Sequence, residues 1–332
     1  MLKKFLPILI LCVLCSGCQL FRNAFRPNNP KAPPLITTQH PTLEQITSAI
    51  NRNSMAIRNM TTENASILVP GVLWPVQSRL TFERPKRLRL QGSATTLGGQ
   101  EIDFGSNDTL FWLWVRRLPG EMWYCRHDQF PICPVRSAVP LEPDWLIEAL
   151  GIIEFKAEDL HEGPTTTDEG HWAIISRRQT PSGQFVKRTI INAQNGWVLR
   201  QEMYSPQNEL VALAISSDHR YDKGTGVLYA RRVEVQCRGT EGKTTIDLGT
   251  PAFNVTTPFS TDMFTMPTFA GYRPVDLCAP EFLQNQGVIM PNPLPTQALP
   301  TQTLPAQALP TQVLPAQELS PTPEASLPTL IQ

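Results

Sequence analysis

The run Phe111-Trp112-Leu113-Trp114-Val115 constrains this chain more than any other feature. It reads as part of a strand, 109–116, in which Phe111, Leu113 and Val115 point one way while Trp112 and Trp114 point the other. Both faces are apolar, so both must be covered. An amphipathic helix can cover one. The other needs a second sheet, a second helix or a ligand.

The surrounding pattern supplies the rest of a sheet. Strand-like runs fall at 65–69, 76–83, 87–92, 100–105, 109–116, 121–126, 171–179, 185–192, 197–205, 210–221 and 228–238. Hairpin chemistry separates several of them, at Ser182-Gly183, Asn195-Gly196 and Gly224-Thr225-Gly226. One helix precedes the strands. Thr42 and Gln45 form a capping box, with Leu43, Ile46, Ile50 and Ile57 on one face and Arg52, Asn53 and Arg58 on the remainder. A second helical stretch, 144–151, follows Pro143, with Trp145, Leu146 and Leu150 clustered and Gly151 as its stop. The order predicts a mainly β (α+β) domain over residues 41–280, a single large antiparallel sheet with few helices.

Both termini differ from this middle. Lys3 and Lys4 precede an apolar run at 5–14, and Ser16-Gly17 precede Cys18. The run is shorter than the roughly 20 residues a membrane span needs, and it has the parts of a secretory signal, 1–17. The junction resembles a bacterial lipobox, which implies a diacylated Cys18 and a membrane anchor; Gln19, by the sorting rules of such proteins, implies the outer membrane. Residues 18–40, with Pro27, Pro30, Pro33 and Pro34, read as a spacer. At the other end, Leu294-Pro295-Thr296-Gln297-Ala298 opens five pentapeptides in register. Proline at every fifth position blocks helix and sheet, so 281–332 is expected to be disordered, extended and without a core. Such an arm can dock an envelope protein, or it is a repeat without a partner.

Composition excludes other classes. Lys plus Arg and Asp plus Glu both number 29, so no net charge draws the chain to nucleic acid. Cys12 and Cys15 leave with the leader, and four cysteines remain beyond Cys18: Cys125, Cys133, Cys237 and Cys278. An even number in an exported domain suggests two disulfides with three connectivities. The eight-residue spacing around Pro131 makes Cys125–Cys133 the simplest local bridge, leaving Cys237 with Cys278. No metal-type cysteine or histidine spacing occurs, so neither a metal nor any other cofactor is expected. His40, His127, His161, His171 and His219 belong to no catalytic motif, and the acidic residues Asp144, Glu148, Glu154, Glu158 and Asp159 read as a solvated helix face. No enzyme is expected.

Five segments together resemble the LolA/LolB lipoprotein-carrier superfamily, which includes RseB-type periplasmic sensors. They are the opening helix with Asn51-Arg52-Asn53, the strand entry Phe82-Glu83-Arg84-Pro85 through Arg89, and Ser106-Asn107-Asp108 leading into Trp114. Arg188 through Asn195-Gly196-Trp197 and a closing strand at 259–267, with Phe264-Thr265-Met266-Pro267, complete the set. The resemblance implies an unclosed, strongly curved antiparallel β-barrel whose concave apolar face is lidded by helices and holds acyl chains. Leu88, Leu90, Phe111, Trp112, Leu113, Trp114, Val115 and Trp123 are then the cavity candidates, and Arg58 is the counterpart of an arginine that gates the lid. The implied function is a carrier or acceptor of lipid or lipoprotein acyl chains. The alternative is an interaction or sensor module on the same scaffold. Soluble carriers lack an anchor, a proline-rich tail and the Cys125/Cys133 insertion, and these are where this chain departs from them.

Overall fold

A computed structural model describes residues 33–282 apart from 71–73, 94–98, 119, 134–142, 182, 239–241 and 281. The leader, Cys18, the first part of the spacer and the repeat tail lie outside the described residues, as does the whole of Pro291–Gln332.

The chain enters through α1 (Leu43–Met55). The capping box forms as the sequence predicts: Gln45 N donates to Thr42 Oγ1 at 3.2 Å and Thr42 N to Gln45 Oε1 at 2.9 Å. Six strands follow: β1 (Asn59–Leu68), β2 (Val76–Glu83), β3 (Arg87–Ser93), β4 (Gln100–Ser106), β5 (Leu110–Val115) and β6 (Glu121–Arg126). After α2 (Pro143–Ala149) come β7 (Leu160–Thr166), β8 (Trp172–Thr180), β9 (Gly183–Ile191), β10 (Val198–Tyr204), β11 (Leu210–Asp222) and β12 (Val227–Cys237). Three short strands close the fold: β13 (Thr244–Asp247), β14 (Ala252–Phe253) and β15 (Arg273–Asp276). Among the described residues they make one sheet, ordered β15-β6-β5-β4-β3-β2-β1-β13-β12-β11-β10-β9-β8-β7, with β14 also on β1. The two ends do not pair, so the sheet is open. Its strands run antiparallel except β15, which is parallel to β6.

Register decides which side chains share a face. Met60, Phe82, Leu88, Ser106, Phe111 and Cys125 stand in one row across β1 to β6, and Thr62, Leu80, Leu90, Phe104, Leu113 and Trp123 in the next. Both helices cover this face. Leu146 and Ile147 of α2, with Leu150 and Ile152, pack on Phe82, Leu88, Leu90 and Phe104. Ile46 and Ile50 of α1 pack on Trp172, Ile174, Ile191 and Val198. A seven-residue helix has little stability of its own. Each buried Leu or Ile contributes roughly 1.5–3 kcal/mol, so tertiary packing is what holds α2.

Two expectations need correcting. Part of the predicted spacer is already packed: Ile36 is buried among the α1 contacts, and Leu35 N bonds Asn195 O at 2.7 Å. The predicted closing strand at 259–267 is instead a strap with a 3-10 turn, Thr261–Phe264. Ser260 Oγ caps that turn, and the Arg89 guanidinium takes up Met263 O at 2.9 Å, so the strap's peptide groups turn to side chains and not to a neighbouring strand.

Candidate functional site

The apolar face beneath α2 is the candidate site, and its rim is polar. Lys187 Nζ of β9 meets Glu148 Oε2 of α2 at 2.6 Å, with both side chains about 10% exposed. Gln201 Nε2 donates to the Glu148 carbonyl at 2.9 Å. Beside them Arg178 holds Asp159 through two bonds of 2.8 and 2.7 Å. Burial pushes the Asp159 carboxyl up, and the Arg178 guanidinium outweighs it, leaving the group below its ordinary value. Glu148 and Asp159 are therefore not on a solvated helix face. The missed signal was their complement, Lys187 and Arg178, each standing in a strand with an apolar face.

Two small cavities open along this face. One of about 40 Å³ lies among Trp145, Glu148, Asp159, Arg178 and Lys187, and another of about 30 Å³ lies between Asn53, Gly151, His219 and Leu228. Small-molecule sites run to roughly 300 Å³ and more, so neither holds an acyl chain as it stands.

The eight cavity candidates divide between two faces. Leu88, Leu90, Phe111, Leu113 and Trp123 lie on the helix side, and Val115 continues that side of β5. Trp112 and Trp114 lie on the opposite side, under the strap. Trp114 stacks on Phe269 with ring centroids 3.8 Å apart, and Tyr272 meets it edge-on at 5.3 Å. Met266 and Met122 complete the cover. The requirement that both faces of β5 be covered is thus met on one side by α2 over Leu113 and by Phe130 over Phe111, and on the other by the chain's own C-terminal strap.

Sequence reasoning missed Asp103, at the centre of that strap face. It is fully buried and accepts from Trp112 Nε1 at 2.8 Å, Gln100 Nε2 at 2.6 Å and Arg89 Nη2 at 2.9 Å. Opposite Trp112 the strand carries Gly105, where a Cβ would collide with the indole. Arg58, the predicted gate, is exposed just after α1. The arginine bound to the end of that helix is Arg84, which donates to Ser54 O at 2.7 Å and Ile57 O at 2.8 Å and faces Glu154 at 3.7 Å. Asn53 proves to be a docking residue: its amide bonds both the N and O of Leu228, at 2.9 and 2.8 Å. Asn51 does the same with Phe155, at 2.8 and 2.9 Å.

The cysteines gather differently from the predicted pairs. Cys125, Cys133 and Cys278 share one cluster with Phe111 and Phe130, and Cys125 Sγ lies 3.0 Å from Cys278 Sγ. Cys237 sits in another cluster, with Trp145 and Val235. Its hydrogen bond with Cys125, with burial behind it, pushes the Cys278 thiol far up. Three histidines are held by backbone carbonyls: His127 by Asn107 O, His161 by Lys156 O and His219 by Val198 O, each at 2.9 Å.

The fold is similar to solved structures at low identity. One is a domain from Vibrio parahaemolyticus described as a candidate outer membrane lipoprotein-sorting protein, at 10% identity and TM-score 0.45, covering 66% of this chain and 94% of that one. A DUF1329 family protein from Desulfovibrio piger aligns at 15% identity and TM-score 0.41, over 66% of this chain and 97% of that one. A LolA superfamily protein from Nitrosomonas europaea aligns at 9% identity and TM-score 0.41, over the same shares. No family model and no curated protein matches the chain. The likeness is one of fold.

Proposed function

We propose that this protein is a non-catalytic cell-envelope lipoprotein that binds acyl chains, of a lipid or of a lipoprotein, between its sheet and α2. It serves as a carrier or acceptor in lipid or lipoprotein traffic. The observation that carries the reading is the inequality of the two walls of that space. One wall is a broad apolar surface locked by six strands in register. The other is a seven-residue helix held by the apolar packing of Trp145, Leu146 and Ile147 and pinned at its rim by the Lys187–Glu148 ion pair and the Gln201 amide. Lifting the helix uncovers its apolar side chains, at roughly 1.5–3 kcal/mol each, so only a ligand that covers the same surface with apolar atoms offsets the loss, at about 0.8 kcal/mol per buried methylene. An acyl chain can do so and a small polar metabolite cannot. The lipobox-like junction at Cys18 supports anchoring on the periplasmic side of the outer membrane, with 281–332 as an arm toward an envelope partner.

One observation favours the second reading, an interaction or sensor scaffold: the described cavities are about 40 and 30 Å³, and both faces of β5 are filled. Native mass spectrometry of the full chain, taken from an exporting host and offered an excess of phospholipid, separates the two. A mass increment of one diacyl lipid beyond the covalent anchor, lost on organic extraction, supports the carrier. An unchanged mass at saturating lipid supports the scaffold and overturns the carrier.

A further inference from the structure

We propose that Cys125 and Cys278 are joined by a disulfide that clamps the C-terminal strap of the fold to β6. The two sulfurs come from chain segments 153 residues apart and lie 3.0 Å from one another. The ladder brings their backbones alongside. Asp276 stands beside Tyr124 at the end of the parallel β15–β6 pairing, Leu277 N donates to Tyr124 O at 2.9 Å, and the turn after β15 then carries Cys278 to the Cys125 sulfur.

The alternatives fit less well. Two thiolates on a zinc ion, each at about 2.3 Å, sit roughly 3.8 Å from one another, wider than is seen here. Asp276 stands close enough to complete a three-ligand group with these cysteines, so a metal is a real competitor that the experiment must address. The local Cys125–Cys133 bridge suggested by spacing would use the same Cys125 sulfur that faces Cys278. Cys133 Sγ lies 3.5 Å from the Leu277 carbonyl and also bonds the Cys278 thiol, so a Cys133–Cys278 bridge is the competing pairing that the mapping must separate from Cys125–Cys278.

The position gives the bond its purpose. β15 is a four-residue edge strand in the sheet's parallel pair, and it ends the strap whose Met266, Phe269 and Tyr272 cover Trp112 and Trp114. A crosslink immediately after β15 fixes the strap's far end, and with it the point from which the proline-rich tail departs. The chemistry balances with a disulfide donor such as oxidised glutathione. The more accessible Cys278 attacks the donor, whose S–S bond breaks and releases one glutathione thiolate. Cys125 then attacks the Cys278 sulfur of the mixed disulfide and releases the second. Two protein thiols are oxidised, one donor disulfide is reduced to two thiols, and the two protein protons end on glutathione.

The test is independent of export and of acyl-chain binding. The full chain is reduced, freed of metal, and incubated folded in a glutathione redox buffer at pH 8.5, where thiolates form more readily. It is then alkylated and mapped by non-reducing peptide mass spectrometry. A linked pair of peptides carrying Cys125 and Cys278 is expected, with a melting temperature roughly 5–15 °C above that of the reduced protein. Cys278→Ser should abolish that difference and Cys237→Ser should keep it. Overturning results are a Cys125–Cys133, Cys133–Cys278 or Cys237–Cys278 linkage, alkylation of all of Cys125, Cys133, Cys237 and Cys278, no thermal difference once the bond has formed, or stoichiometric zinc retained by the untreated protein.

Discussion

At the scale of single residues, buried polar groups decide more than the apolar pattern does. Asp103 interrupts an otherwise readable strand, and nothing in a period-two alternation says that a carboxylate there is fully buried. The clue lay in its neighbours: Arg89, Gln91 and Trp112, brought beside it by register, all carry donors. The histidines give a prediction of their own. Burial holds His127 and His219 below the ordinary imidazole value of 6.5, against the opposing pull of the Asn107 and Val198 carbonyls. The unfolded chain therefore takes up protons first as pH falls, and folding stability drops below about pH 6.5. Asp108 and Asp159, held below 3.8 by Arg87 and Arg178, lose their contribution only at lower pH. Urea titrations at pH 7 and pH 5 should show a loss of stability, and His219→Gln should shrink it. Equal stability of the wild type at the two values would contradict the burial of both imidazoles.

At the scale of elements, α2 is the part on which the proposed function turns. Glu148→Gln or Lys187→Met alone leaves one charge buried without its partner, a cost of about 3–5 kcal/mol. The double variant, which removes both charges, should cost clearly less than the sum of the two, and a double-mutant cycle in urea measures the difference. Additive costs would mean that the pair is hydrated and does not fasten α2. Elements with strong local signals were legible in the sequence. β2 and β6 match their predicted bounds, and the capping box of α1 forms as read. The missed strands lack such signals for physical reasons. β7 is an edge strand with a mostly exposed Leu160-His161-Glu162-Gly163-Pro164 sequence, and β15 carries Pro274, which an edge tolerates and a central strand does not. The closing strand was expected at 259–267 from the resemblance alone; the strap there has no period-two apolar pattern, and Arg89 and Ser260 take up part of its backbone.

For the whole molecule, a large antiparallel sheet with few helices was readable from strand count and turn chemistry, while its openness and the helices on one face came from the resemblance. Which residues share the helix side was not readable, because a one-residue change of register moves every side chain to the other face. The register puts Leu88, Leu90 and Leu113 beneath α2, Phe111 on the same side against Phe130 and the cysteine cluster, and Trp112 and Trp114 beneath the strap. The central proposal is that an acyl chain enters between the sheet and α2. Its most direct test is a fluorescent acyl-probe titration of the full chain, with wild type and the Glu148→Gln/Lys187→Met variant side by side. Saturable one-to-one binding, competed by unlabelled fatty acid and at least several-fold tighter in the variant whose helix is unfastened, is the expected result. No saturable binding to either protein, with both folded by circular dichroism, would contradict it.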